Sequence, residues 1–493
     1  MLKMLSYSTK SDLFYSMVTP LIVLIGALFF VNYISITGGS TNGSTSIFAY
    51  LIGLVCLVFF NPIYVFIYGF IMHIDMFSCF YFSGTKLLTL ITMFIVFFLK
   101  PDLLFWVLKN KKIKTLTLLA LLFGIYGIIV NIGFNDQLSF VNISSRVGNL
   151  LGYLTIVPGY YFARSQSKKL FIALTIIAVL FLFVYYINFM LGTNLFNLIT
   201  IDKGGASLSI TRSYGYDVRQ IVIFFFYLIP AIIISKNIRT YFKPLLILIG
   251  LFAYMVLVLA IYRLAMFYVA IGTILSALFI YRYVKSLELF KIIIISLVIF
   301  AVLSFFFSEY LGNIGKVITW TYNSFFGNVV DDSAGDRVDY QLPILSNLFA
   351  LNPWIGCGII KLISMEKMGM FGFVDIPILG TLTAFGILGM LIYYFKFYVL
   401  LSDNKISKTV YNKQFFNSRP FILYMYLTLQ AYIITMITFR LFYISWELTL
   451  DYQQAEFGLI SGAYIALHTI LNKQQYLVCS KLKYNEPDYG ICN

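Results

Sequence analysis

Long runs of apolar residues, broken at short intervals by polar or charged ones, recur along almost the whole chain. Stretches of roughly 17–25 apolar residues are what a helix needs to cross a bilayer. They predict spans at 18–34, 47–60, 62–74, 86–104, 115–133, 145–163, 170–191, 219–235, 244–262, 264–281, 291–308, 374–398, 420–440 and 456–472. The second and third are short, and Asn61-Pro62 between them is either a turn between two helices or a kink in one long helix. The expected fold is therefore all-α, a polytopic integral membrane bundle of about fourteen transmembrane helices. Val18–Ile34 lacks a small-residue cleavage site and is followed by more segments of its kind, so it reads as a retained span.

Composition agrees with the pattern. Hydrophobic residues make up 60% of the 493 positions and charged ones only 11%, with a mean hydropathy of +0.89, which leaves no polar stretch able to form a soluble domain. The chain reads as a single membrane domain, 1–493. The longest segments of mixed polarity are 309–373 and 399–419; residues 309–373 form a large, partly helical outer loop expected to fold over the bundle, and 192–218 form a second outer loop. No internal repeat is visible, and no pair of Gly/Pro-broken helices marks corresponding halves.

Charge supplies the orientation. Lys109, Lys111, Lys112 and Lys114, then Arg164, Lys168 and Lys169, then Lys236, Arg239 and Lys243, then Lys405, Lys408, Lys413 and Arg419 fall in alternate loops together with both termini. The positive-inside rule makes that side cytoplasmic. The basic excess of +15 is accordingly a topology signal and points to no nucleic acid. Lysine obeys the rule, but arginine departs from it: Arg146, Arg212, Arg219, Arg263, Arg337 and Arg440 all fall on the outer side. Topology selects positive charge of either kind, so arginine in particular on the disfavoured side asks for a chemical reason. A guanidinium is a planar, permanently charged fork that grips phosphate or carboxylate in bidentate fashion. Each arginine can equally pair with an outer acid such as Asp217, Glu447 or Asp375.

Two outer segments carry the candidate chemistry. Asp331-Asp332-Ser333-Ala334-Gly335-Asp336-Arg337-Val338-Asp339-Tyr340 leads into Ile344, Leu345, Leu348 and Phe349, whose spacing predicts a helix lying on the membrane surface. Ser333 or Asp336 can cap a helix whose first turn holds Arg337, and such a helix start attracts anions. Gly356-Cys357-Gly358 reads either as a turn that brings backbone close to a ligand or as an ordinary loop turn. Arg212 and Arg219 close the second outer loop, and Arg263 interrupts a long apolar run at an outer hairpin. Asp331-Asp332 lacks the Asp-x-Asp spacing of a metal-binding glycosyltransferase, and the five cysteines show no metal spacing, so neither a metal nor another cofactor is expected.

Tyr262-Arg263-Leu264-Ala265, then Gly335-Asp336-Arg337, then Asn352-Pro353-Trp354-Ile355-Gly356-Cys357-Gly358-Ile359, then Asp375 before a span containing Gly386-Ile387-Leu388-Gly389, together resemble the Wzy-type O-antigen and capsule polymerases, in a group that includes the O-antigen ligases. The resemblance covers roughly residues 200–400, and its motifs are loose. It implies a metal-independent membrane glycosyltransferase, in the bacterial cytoplasmic membrane with its active site outward, that moves a growing glycan from undecaprenyl diphosphate onto another lipid-linked repeat unit. The partners implied are those lipid-linked oligosaccharides, membrane lipids and a chain-length regulator protein. Arg337, Arg263 and Arg219 would clamp the diphosphate, with Arg212 and Arg146 as further members, and Asp336, Asp339 and Asp375 are the candidate proton acceptors. Ligases of the group carry a histidine where this chain has Asp375, and His73 and His468 do not match it. That departure favours polymerase over ligase. A flippase of the same lipid-linked sugar and a scaffolding protein are the readings from other classes.

Overall fold

The computed structural model describes residues 10–37, 43–76, 85–134, 151–191, 199–203, 211–215, 227, 230, 263–284, 342–358, 377–402, 420–449 and 451–485. These residues are helical apart from connecting turns and one antiparallel hairpin, in which β1 (Ile199–Lys203) pairs with β2 (Thr211–Gly215) inside the predicted second outer loop. Among the described residues, five helices are long and apolar enough to cross a membrane, or six if one bent pair counts as a span. This is a helical, multi-pass membrane protein; of the fourteen predicted segments, 244–262 and 291–308 lie outside the described residues, and 219–235 is described only at Tyr227 and Pro230.

The first three helices are α1 (Lys10–Thr37), α2 (Gly43–Val58) and α3 (Pro62–His73). Asn61 accepts a hydrogen bond from the Ile63 amide at 3.2 Å and Pro62 opens α3, an N-terminal signature that starts a new helix. The alternative of one kinked helix is thereby resolved. Tyr50 stacks on Tyr68 with ring centroids 5.0 Å apart, and the Tyr68 hydroxyl donates to the Tyr50 carbonyl at 3.1 Å, so α2 and α3 fold back on each other. A helix of 12 residues is about 18 Å long, well short of a hydrocarbon core of about 30 Å. Yet Ile63 to His73 are all buried, so α3 is an interior helix wrapped by its neighbours.

The predicted span 86–104 is corrected. α4 (Thr85–Leu99) stops at Lys100, and α5 (Pro101–Leu108) leaves it at 97°. Pro101 has no N–H to continue the ladder, and its ring forces Lys100 out of the helical region, to φ −137° and ψ 80°. α6 (Lys111–Phe134) follows at once, capped by the Asn110 side chain, which accepts from the Lys112 and Ile113 amides at 3.1 and 3.2 Å. α6 exposes Leu118, Leu121, Leu122, Ile125, Ile129 and Ile132 along one stripe and buries Ile113, Leu116, Ala120 and Phe123 on the other. Such a continuous apolar exterior suits lipid and not water.

A 3-10 turn (Leu151–Thr155) leads into α7 (Ile156–Leu191), two helical arms that meet at a non-helical Gln166, where the sequence separates the segments 145–163 and 170–191. The first arm packs on α12 (Asp451–Asn485) with almost no side chain between the backbones. A Cβ on Gly159 would lie 2.7 Å from the Leu459 carbonyl oxygen, and one on Gly462 would lie 2.3 Å from that of Ile156. Gly458 and Gly462 form the small-xxx-small spacing that lets membrane helices approach closely. Thr155 adds an interhelical hydrogen bond to the Ala455 carbonyl at 2.6 Å, worth about 0.6 kcal/mol on average in such bundles.

The remaining helices are α8 (Arg263–Val284), α9 (Leu342–Leu351), α10 (Pro377–Leu401) and α11 (Pro420–Thr449). α11 packs on α8, with Tyr227 between them: Ser276 donates to the Tyr227 carbonyl at 2.9 Å, and the Tyr227 ring meets Tyr432 edge-on at 5.3 Å. α11 runs on past the predicted end at 440 to Thr449, and α12 begins at Asp451. Among the described residues, the basic turns at 109–114 and 164–169 share one end of the bundle. Gln166 donates to Asn61 at 3.1 Å, Asn110 donates to the Tyr160 hydroxyl at 3.4 Å, and the Lys112 ammonium reaches the Ser402 carbonyl.

Candidate functional site

Opposite that basic end, α10 is interrupted at Gly386, whose φ of 63° and ψ of −174° belong to a region open essentially to glycine alone. A break in a helix orphans carbonyls above it and amides below it, and in a membrane each orphan costs several kcal/mol unless protein satisfies it. The segment that follows α9 does so. Asn352-Pro353 ends α9, and the chain turns back through Gly356 (φ 82°) and Gly358 (φ 84°) to lie along the unwound part of α10. The Cys357 and Gly358 amides donate to the Thr383 and Ala384 carbonyls at 2.8 and 3.0 Å. In return the Ile387 and Leu388 amides donate to the Pro353 and Trp354 carbonyls at 2.9 and 3.1 Å.

One side chain completes the set. The Tyr126 hydroxyl, from α6, lies 2.7 Å from the Phe385 carbonyl and 2.8 Å from that of Ile355. The buried Cys357 thiol donates to the Thr383 carbonyl at 3.2 Å, and the Thr383 hydroxyl bonds the Leu345 carbonyl at 3.2 Å, tying α9 to α10. There is no room for side chains at the crossing: a Cβ on Gly386 would stand 2.4 Å from the Trp354 carbonyl carbon, and one on Gly356 would stand 2.6 Å from that of Ala384. Trp354 and Ile355 remain exposed. The two glycine motifs singled out in the sequence, 356–358 and 386–389, are thus one structural unit.

The charged candidates are placed unevenly. Arg263 is the first residue of α8, and Arg212 lies in β2 at the position opposite Asp202. Arg146, Arg219, Asp336, Arg337, Asp339 and Asp375 lie outside the described residues, as do the Ser333 and Asp336 caps. In sequence, Arg337 precedes the start of α9 at Leu342 by five residues, and Asp375 precedes the start of α10 at Pro377 by two. The two helices that the break welds together are therefore those that these residues lead into. The expected apolar face at Ile344, Leu345, Leu348 and Phe349 is present in α9, with Leu345 fully buried against α10 and Ser346 and Asn347 exposed.

Sequence reasoning passed over a second polar group, in the interior of the bundle. Lys396 of α10 is buried, with its ammonium 3.7 Å from the Tyr393 ring centre and 4.8, 5.0 and 5.6 Å from those of Tyr153, Phe397 and Phe457. Cation–π contacts of this kind are worth up to about 2 kcal/mol when desolvated. Gln454 and Glu456 of α12 are buried nearby in the chain, and a small cavity beside Lys396 is lined by Phe123, Tyr153, Tyr393 and Gln454. The Gln454 amide nitrogen and the Tyr393 hydroxyl have no hydrogen-bond partner among the described residues. The only signal in the sequence was a lysine two residues inside the end of a predicted span, which reads as a side chain snorkelling to the surface. Among the described residues no group of His, Cys, Asp and Glu could hold a metal ion. Comparison of the whole chain with family models, with curated proteins and with solved structures finds no match.

Proposed function

We propose that this protein is a polysaccharide polymerase that transfers a growing glycan from polyprenyl diphosphate onto another lipid-linked repeat unit, at the outer face of the cytoplasmic membrane. The observation that supports the reading is the union of Asn352–Gly358 with the break at Gly386. Those are two of the four segments that carry the resemblance to Wzy-type polymerases, and in sequence they adjoin the helices that Arg337 and Asp375 lead into.

In the proposed reaction a sugar hydroxyl oxygen attacks the anomeric carbon of the growing chain. The bond from that carbon to the diphosphate oxygen breaks, and the lipid diphosphate leaves with the electron pair. The hydroxyl proton passes to Asp336, Asp339 or Asp375. A diphosphate is already a good leaving group, so positioning and charge stabilisation carry most of the work, which Arg337, Arg263 and Arg219 would supply with Arg212 and Arg146 as outer members. The test is the Arg337 series in cells that make the polymer. At normal expression Arg337→Ala abolishes long polymer, and Arg337→Lys fails nearly as badly because one ammonium cannot reproduce a bidentate fork. Full polymer length with Arg337→Ala would sink the assignment.

A second reading, a flippase of the same lipid-linked sugar, is favoured by one observation: Lys396, Gln454 and Glu456 put polar and ionisable groups inside the bundle, where a transport path needs them. A deletion strain separates the two. Loss of a polymerase leaves single repeat units still exported, whereas loss of a flippase traps them inside.

A further inference from the structure

At the basic end of the bundle, α5 and the bend of α7 enclose a guanidinium that no part of the proposed reaction uses. Arg164 donates to the Tyr160 hydroxyl at 2.6 Å, and its guanidinium lies over the Trp106 ring, 4.5 Å from the ring centre. Tyr160 also accepts from Asn110, so α5, the turn into α6 and α7 together fix the head of Arg164 in place. The residue stays partly exposed, and no carboxylate pairs with it among the described residues. Stacking occupies the faces of a guanidinium and leaves its edge N–H groups free to donate. In the segments that hold Trp106 and Arg164, Lys100, Lys109, Lys111 and Lys168 are exposed, and Asp102 is the one acid in 100–114 and 156–170.

The positive-inside rule accounts for these lysines as charge. It does not account for a guanidinium held flat on an indole and pinned by a phenol, because topology needs no fork and no orientation. We propose that this notch binds the phosphate headgroup of an anionic phospholipid. The neighbouring surface identifies the occupant as a lipid: Phe98 and Leu99 at the end of α4 and Phe105 and Trp106 on α5 are exposed, and the 97° bend turns α5 across the end of α4. Exposed apolar residues beside an interfacial tryptophan and a basic cluster describe the acyl boundary and the headgroup level of one leaflet. A soluble anion would have no use for that apolar floor.

The test uses the full-length protein, purified in detergent and stripped of lipid, with thermal unfolding and lipid retention in native mass spectrometry as readouts. Phosphatidylglycerol is the probe, phosphatidylcholine its zwitterionic control, and inorganic phosphate the soluble competitor. Phosphatidylglycerol is expected to raise the melting temperature and to be retained at least about threefold better than phosphatidylcholine. Arg164→Lys preserves the charge that topology requires, yet is expected to lose most of that preference, while Lys168→Gln, on an exposed side chain, keeps most of it. Should Arg164→Lys fail to fold, Trp106→Leu removes the stack while keeping an apolar side chain and is expected to lose the same preference. Equal retention of the two lipids, or an unchanged preference in Arg164→Lys, would overturn the proposal by reducing the patch to plain charge. Displacement of the lipid by millimolar inorganic phosphate would also overturn it, in favour of a free-anion site.

Discussion

Two contacts in this bundle are built on glycine, and they use it for opposite purposes. Where α12 meets the first arm of α7, Gly159, Gly458 and Gly462 sit in unbroken helices, and what matters is the missing Cβ, which lets backbone touch backbone. Where the 352–358 segment meets α10, Gly386 sits at a helix break, and what matters is a backbone conformation that no side chain tolerates. The first contact is a smooth seam between two rods. The second exchanges helix hydrogen bonds for bonds to a neighbouring segment, and so fixes that segment on the bundle. A seam joins two helices and no more, whereas the anchored segment adjoins, in sequence, the charged stretch on which the proposed function rests.

Substitutions break this comparison in graded ways. Gly386→Ala has the largest expected effect, since it adds a strained conformation costing about 1–3 kcal/mol to an overlap with Trp354 costing about as much again. Both the melting temperature and the polymer formed per folded molecule should fall. Gly462→Ala comes next, at about 1–3 kcal/mol, because the added methyl meets the Ile156 carbonyl. It should lower the yield and the melting temperature while leaving polymer per folded molecule unchanged, and a specific loss of activity would show that the seam is not merely structural. Tyr126→Phe is the mildest, at about 1 kcal/mol, since it takes the hydroxyl away from the Phe385 and Ile355 carbonyls without adding an overlap. Polymer length should shorten even where the folded yield is close to normal; normal polymer would detach the break from the reaction.

Much of the architecture was legible from patterning because lipid enforces it. A run such as 115–133 has to be a helix in hydrocarbon, and α6 covers it. Asn61-Pro62 carried a cap and a helix-opening proline, yet the same pair is compatible with a kink, and only the contact of Tyr50 with Tyr68 decides for a hairpin. The pattern ran the span 86–104 straight through Pro101, where the helix breaks, and the 97° by which α5 turns goes with Trp106 meeting Tyr160, Tyr161 and Arg164. The motifs that hold Gly356 and Gly386 were each visible in the sequence, the first as a turn, but nothing there joined one to the other. Their pairing is legible only in space, since 30 residues separate them and neither positive φ is encoded by neighbours. Lys396 was passed over for a related reason: the rings of Tyr153 and Phe457 that shelter it come from segments distant in the chain.

The sequence by itself determined that the chain is a helical membrane protein, which turns carry the basic charge, and that arginine is concentrated in segments read as outer. Those properties follow from the periodic demands of a bilayer and from composition, and both are local. Tertiary structure decided which breaks become hairpins, bends or bonded crossings, because each depends on what partner the freed backbone groups meet. The union of 352–358 with the interrupted α10 is the clearest case: hydrogen bonds lost within one helix are made good by a segment that the sequence places in a different loop.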